Sequence, residues 1–156
     1  AAKYARENGI AVSLDAGGLY DRIDELLPYV DILIPSAEFA QGLTGKKDVS
    51  IAMQALQKRY VPKILVITDG KKGGLYWDGR PMPYESFGVE AVDTNGAGDT
   101  FHGAFLSRYL AGYEIQDCCR FASAAAAIKC TKRGVRNVIS SVGEVEAFLQ
   151  KPFQRV

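Results

Sequence analysis

The chain has 156 residues, 47% of them hydrophobic and 24% charged, with a formal net charge of +1. That is the size and composition of one globular domain with a sizeable core, and the small net charge supplies no field that would draw nucleic acid or a membrane surface. No apolar run is long enough to cross a bilayer and no signal peptide is visible, while Cys118, Cys119 and Cys130 lack the spacing of a zinc site or disulfide framework, so a reducing cytoplasm is the default expectation.

In chain order, AAKYARENG reads as a helix stopped by Gly9, with no initiator Met, as if from the middle of a protein. IAVSLD, residues 10–15, is a short strand rich in branched side chains. LYDRIDELLPYV has helical spacing through Ile23, Leu26 and Leu27, with Pro28 interrupting late. DILIP, residues 31–35, is a near-continuous apolar strand of the kind buried on both faces. SAEFAQGLTG predicts a short helix with Ser36 as N-cap and an end between Gly42 and Gly45. DVSIAMQALQKRY puts Ile51, Ala52, Ala55, Leu56 and Tyr60 on one helical face. KILVITDG, residues 63–70, is the clearest buried strand, and GGLYWDGRPMPY predicts a strand, a tight turn at Asp78-Gly79 and a return strand. Helices follow over residues 100–110 and 116–130. A last one begins at SSVGE, where Ser141 and Glu144 have capping-box spacing. The alternation predicts an α/β fold: a mostly parallel sheet with helices on both faces, plus a hairpin. Right-handed crossovers then gather the strand C-terminal ends on one edge, where ligands bind.

The densest stretch is EAVDTNGAGDTFHGAF, residues 90–105. It does not fit a P-loop, because Ala104 follows Gly103 where a lysine is needed, nor the dinucleotide fingerprint, because Phe101 fills the third glycine slot. A dehydrogenase-type Rossmann domain is therefore disfavoured. General physics remains. The small residues Gly96, Ala97 and Gly98 let backbone N–H groups close on an anion. A helix beginning near Ala97 adds orphan amides and the positive end of its dipole. Asp99, in the first turn, then has two readings. It either caps the helix, or accepts a proton from a hydroxyl while the amides hold the group under attack, the pair that phosphoryl transfer to an alcohol needs.

DTNGAGDTFHGAF resembles the signature of the ribokinase-like, or PfkB, family of carbohydrate kinases, Asp-Thr-x-Gly-Ala-Gly-Asp-Thr/Ser-Phe, nearly completely from Asp93 to Phe101. VITDGKKGGLYW resembles the family's Thr-x-Gly-x-x-Gly nucleotide loop at Thr68, Gly70 and Gly73, and FASAAAAIKCTKRG its Ala-rich helix and following glycine, Gly134. The resemblance spans essentially the whole chain but only the C-terminal half of the family's fold, with the N-terminal portion and lid absent. It implies that residues 1–156 are the nucleotide-binding and catalytic part of a kinase domain using ATP and magnesium. Asp99 would be the catalytic base and Gly96, Ala97 and Gly98 the anion hole. Thr68, Gly70 and Gly73 would contact nucleotide phosphates and ribose. Ser123 and residues 130–134, Gly134 included, would line the adenine pocket. Asp93 and Asn95 match positions that hold a monovalent cation, such as potassium, in some members.

In one place the chain departs from the family. Members commonly carry Asn-x-x-Glu after the DILIP-like strand, a pair that organises magnesium and phosphates. Here Ser36 replaces the Asn and Phe39 stands in the Glu position, leaving Glu38, one residue early and about 100° round the helix, as the candidate acid. Lys71 and Lys72 either neutralise phosphate charge or are simply solvated. His102, three residues after Asp99, reads as structural or as pocket rim. Cys130 reads as a small apolar residue. Lys129, Lys132, Arg133 and Arg136 form a basic cluster that either attracts ATP or caps a helix end. The expected acceptor is a sugar or sugar-like alcohol, with no nucleic-acid or membrane partner. The alternative is a nucleotide-binding module without chemistry. The acceptor-gripping half would lie upstream, so this chain alone is expected to bind nucleotide weakly, to transfer no phosphate, and to form homo-oligomers through the strand edge left bare.

Overall fold

The computed structural model describes residues 1–135 and 141–150. Five strands form one sheet in the order β1-β2-β3-β4-β5: Ser13–Ala16, Ile32–Pro35, Ile64–Thr68, Gly74–Trp77 and Pro81–Tyr84. β1 pairs with β2 in parallel, from Ser13 opposite Ile32 to Ala16 opposite Pro35, and β2 pairs with β3 in parallel through Ile32–Ile64 and Leu33–Leu65. Ser36 and Thr68 continue that parallel pairing as an isolated bridge. β4 and β5 close a hairpin, in which the Asp78 amide donates to the Arg80 carbonyl at 3.0 Å. The helices are α1 (Ala2–Glu7), α2 (Ile23–Leu26), α3 (Ala37–Thr44), α4 (Val49–Tyr60), α5 (Ala97–Leu110), α6 (Ile115–Cys130) and α7 (Val142–Leu149). Pro28 converts the end of α2 into a short 3-10 turn, Leu27–Tyr29.

The chain divides into two compact units. The first, Ala1–Asp69 with Leu75–Met82, is built on β2, which is buried along its whole length, and on β3, buried up to Thr68. Leu33, Phe39, Ala40, Met53, Leu56, Leu65 and Ile67 make its core. One helical face differs from expectation. Ile51 is exposed, and Met53 joins Ala52 and Leu56 inside. In this helix, the residue one step beyond Ala52 lies in the core, and the isoleucine one step before it faces water.

The second unit, Gly70–Gly74 with Pro83–Val156, packs α5, α6 and α7 round Phe87, Phe121, Ala124, Ala125, Ala127, Ile128 and Val145. The alanine run on α6 is buried nearly throughout, which lets neighbouring backbones approach closely. Arg108 of α5 ties the three helices together. Its guanidinium lies 4.1 Å from the Tyr113 ring centre and 4.3 Å from that of Phe121, and it pairs with Glu146 of α7 at 3.0 Å. Ser141 caps α7, its Oγ accepting from the Glu144 amide at 3.2 Å.

Candidate active site

Most of the expected site lies in the second unit, in the loop that runs from Asp93 into α5. Asp93 opens it with an Asx turn, its Oδ1 accepting from the Asn95 amide at 3.0 Å. Gly96 is the N-cap of α5, in the left-handed region at φ 75°, and the helix end has no side-chain cap. A Cβ on Gly96 would sit 2.8 Å from Val135 Cγ1. The positive φ therefore favours glycine here, and any side chain would also have to displace Val135. Gly98 lies inside the helix, so the conformational demand falls on Gly96 and not on Gly98.

The helix amides divide into used and unused. The Ala97 amide is taken by the Thr94 carbonyl at 3.1 Å, and the Thr100 amide and hydroxyl both return to the Gly96 carbonyl, at 3.0 and 2.8 Å. The amides of Gly98 and Asp99 have no acceptor among the described residues. The Gly96 amide likewise has no acceptor among the described residues, so of the expected set of Gly96, Ala97 and Gly98 only the Ala97 amide is already engaged, and the Asp99 amide adds a donor. Asp99 itself is exposed in the first turn. An uncapped helix end made of small residues, with spare N–H groups and the positive end of the dipole, fits a phosphate.

The loop from Gly70 to Gly74 stands on a backbone contact. Gly73 is buried with φ 82°, and a Cβ there would lie 2.1 Å from the Tyr84 carbonyl oxygen. The Ser86 hydroxyl donates to the Lys71 carbonyl, while the side chains of Lys71 and Lys72 are exposed. Tyr84 stacks on Phe101 of α5 at 5.7 Å, and Ser123 of α6 donates to the Glu85 carbonyl at 3.2 Å. Residues 84–86 thus carry the Gly70–Gly74 loop against both helices. Ser123 is buried by that contact. Thr68, at the end of β3, and Glu38, exposed on the first turn of α3, belong to the first unit. Phe39, in the family's Glu position, is 1% exposed in the core of that unit. No group of three His, Cys, Asp or Glu side chains poised for a metal occurs among the described residues. Magnesium bound chiefly by nucleotide phosphates, with one protein carboxylate and water, needs no such group.

Asp93 is held from several sides. Its Oδ2 accepts from the Gly134 amide at 2.9 Å, and its backbone amide donates to the Cys130 carbonyl at 3.1 Å. The Gly134 and Asn95 amides hold its carboxyl below the usual aspartate range. Lys129, 1% exposed, sends its ammonium to the Asp93 carbonyl at 2.6 Å and lies 3.9 Å from Oδ1. A monovalent cation held by Asp93 and Asn95 does not fit this arrangement, because an ammonium already stands on Asp93. The members of the predicted basic cluster are engaged differently. Lys129 points inward, Lys132 pairs with Glu144 at 2.8 Å, Arg133 is exposed, and Arg136 lies outside the described residues. Burial pushes the Cys130 thiol up, away from reactivity. His102 is half-buried on α5. The contact between Lys129 and Asp93 escaped the sequence reading because the two residues are 36 positions apart. The only signal was a lysine facing the same side as an otherwise small, buried helix.

Comparison with known proteins agrees with this geometry. The model of the pfkB family carbohydrate kinases matches residues 1–141. The ribokinase of Haemophilus influenzae is 36% identical over 155 residues, covering 96% of this chain and 51% of that protein. Among solved structures, Arabidopsis thaliana ribokinase complexed with ribose and ATP superposes with a TM-score of 0.86 at 31% identity, over 97% of this chain and 51% of its own. A putative ribokinase II from E. coli, in complex with ATP and Mg2+, gives 0.84 at 26% identity, over 96% and 51%. The chain thus spans about half the length of the relatives it matches. On the motif from Asp93 to Phe101, the ribokinase-like sheet and these matches, the chain belongs to the pfkB family of carbohydrate kinases.

Proposed function

We propose that residues 1–156 form the C-terminal nucleotide-binding and catalytic part of an ATP-dependent kinase that phosphorylates an alcohol of a sugar or sugar-like substrate. The observation that carries this is the open N-terminus of α5, with unused amides beside Asp99. ATP, when bound, supplies the transferable phosphoryl group. The Gly96, Gly98 and Asp99 amides of the Gly96–Gly98 anion hole stabilise the charge on that group, and Asp99 takes the proton of the acceptor hydroxyl as it attacks. Gly70, Lys71 and Gly73 attend the nucleotide from their loop, as does Thr68, and Ser123 and Gly134 support the adenine side. Glu38 is the acid offered to magnesium.

Acceptor-dependent ADP release by the longest product of the encoding gene tests the proposal. A panel of sugars, sugar acids and nucleosides that elicits no ADP release would overturn it. The 156-residue chain alone is expected to release none and to bind ATP weakly. Tyr4, Ile10, Leu19 and Tyr20 expose apolar surface in the first unit, and we expect self-association of this chain, read by light scattering. A monodisperse monomer refutes that part. A nucleotide-binding module without chemistry is the second reading, favoured by Phe39 filling the family's Glu position from inside the core. It predicts ATP affinity in the gene product with no acceptor-dependent turnover.

A further inference from the structure

We propose that Lys129 is a built-in monovalent cation, its ammonium holding Asp93 where a bound potassium ion would otherwise be required, so that the loop entering α5 is positioned without any ion from solution. A lysine on a helix ordinarily runs its stem along the surface and keeps the ammonium in water. Lys129 does the opposite, with 1% of its surface exposed. Its head meets two oxygens of one residue, the Asp93 carbonyl at 2.6 Å and the Asp93 carboxylate at 3.9 Å. Carbonyl and carboxylate oxygens are also what hard cations select. An ammonium is a compact point charge with three donors and meets the same demand. It also stands in the last turn of α6, where the helix dipole favours a positive charge.

What Lys129 holds is the start of the candidate phosphate loop. Asp93 turns the chain through the Asn95 amide, and residue 96 begins the cap of α5. The same carboxylate receives the Gly134 amide. One ammonium thereby fixes the joint between the phosphate loop and residues 130–134. A potassium ion added at Asp93 would share a single carboxylate with the lysine, and two positive charges at that spacing repel strongly away from bulk water. Lys129 is a positioning residue in this scheme, acting through Asp93. Its consequence for catalysis rests on the kinase function proposed above, but its cation chemistry does not.

The test is thermal unfolding of the 156-residue chain in potassium, ammonium, sodium and choline chlorides at equal ionic strength. The wild-type chain should melt at the same temperature in all four. Lys129→Ala should lower the melting temperature by about 5 °C in choline, the size expected for losing a charged hydrogen-bond partner in a chain of this length. Potassium or ammonium should restore at least half of that loss, and choline none. Lys129→Met, which fills the space with an apolar chain, should lose stability without rescue. Selective stabilisation of the wild type by potassium would overturn the proposal, whether or not the variants fold. So would an Ala variant whose loss neither potassium nor ammonium repairs. ATP affinity of the Ala variant, titrated with potassium, should rise in parallel with the recovered stability, and a recovery of stability with no gain in affinity would overturn the positioning of the phosphate loop. Absence of acceptor-dependent ADP release from the longest product of the gene would refute the kinase function and leave the cation result standing.

Discussion

The N-termini of α3 and α5 begin with similar ingredients and end differently. Each carries one exposed acid in its first turn, Glu38 and Asp99. α3 is closed: Ser36 sits in an extended conformation and its Oγ accepts from the Phe39 amide at 3.0 Å. α4 is closed as well, by Asp48, whose Oδ1 takes the Ser50 and Ile51 amides at 2.7 and 3.1 Å. α5 starts from a glycine at φ 75° with no side chain to offer, and two of its amides are left over. A capped end spends its donors on stability. An uncapped end made of small residues keeps them for a ligand, at a cost in helix stability that the Phe101 and Phe105 packing of α5 offsets. The same residue type, a first-turn acid, therefore stands beside free donors in one helix and beside a satisfied cap in the other.

The sharpest way to break this contrast is Asp99→Asn, which keeps size and loop but cannot take a proton. In the full gene product, turnover should fall by roughly 10²–10⁴-fold, the usual range for loss of a general base. ATP affinity should hold or rise slightly, because a negative charge beside the phosphates is removed. Near-normal turnover would return Asp99 to a mere first-turn acid. Next in size is closing the open end. Gly96→Ser supplies an oxygen at the N-cap position, forces a non-glycine residue to positive φ and crowds Val135. ATP affinity should drop about tenfold, equivalent to ~1.4 kcal/mol, as read by calorimetry. Unchanged affinity would show that the phosphate lies elsewhere. The smallest effect comes from opening the closed end. Ser36→Ala should cost about 1 kcal/mol of stability, or ~3 °C in melting temperature, and should leave ATP affinity of the chain unaltered. An affinity loss matching that of Gly96→Ser would erase the distinction between the two helix ends.

What the amino-acid sequence by itself determined is whatever depends on near neighbours. Apolar runs and helical spacing placed the strands of the parallel sheet and the helices to within a few residues, because β2 and β3 are buried almost end to end and must be apolar throughout. The signature from Asp93 to Phe101 was legible for the same reason, since cap glycine, first-turn acid and helix start are contiguous in the chain. Only the tertiary structure decided which amides remain unused, because the Ala97 N–H is consumed by a turn whose geometry residue types do not reveal. It also decided that Gly73 is needed for the approach of Tyr84, that Ser123 serves the Glu85 carbonyl, and that Met53 faces inward where Ile51 was expected. Above all it decided the fate of Lys129. A lysine in the last turn of a helix reads locally as a solvated charge, and its burial follows only when α6 brings it to a carbonyl and a carboxylate 36 residues earlier. Desolvating an ammonium is tolerable only where oxygens await it, and the position of those oxygens is a property of the folded chain.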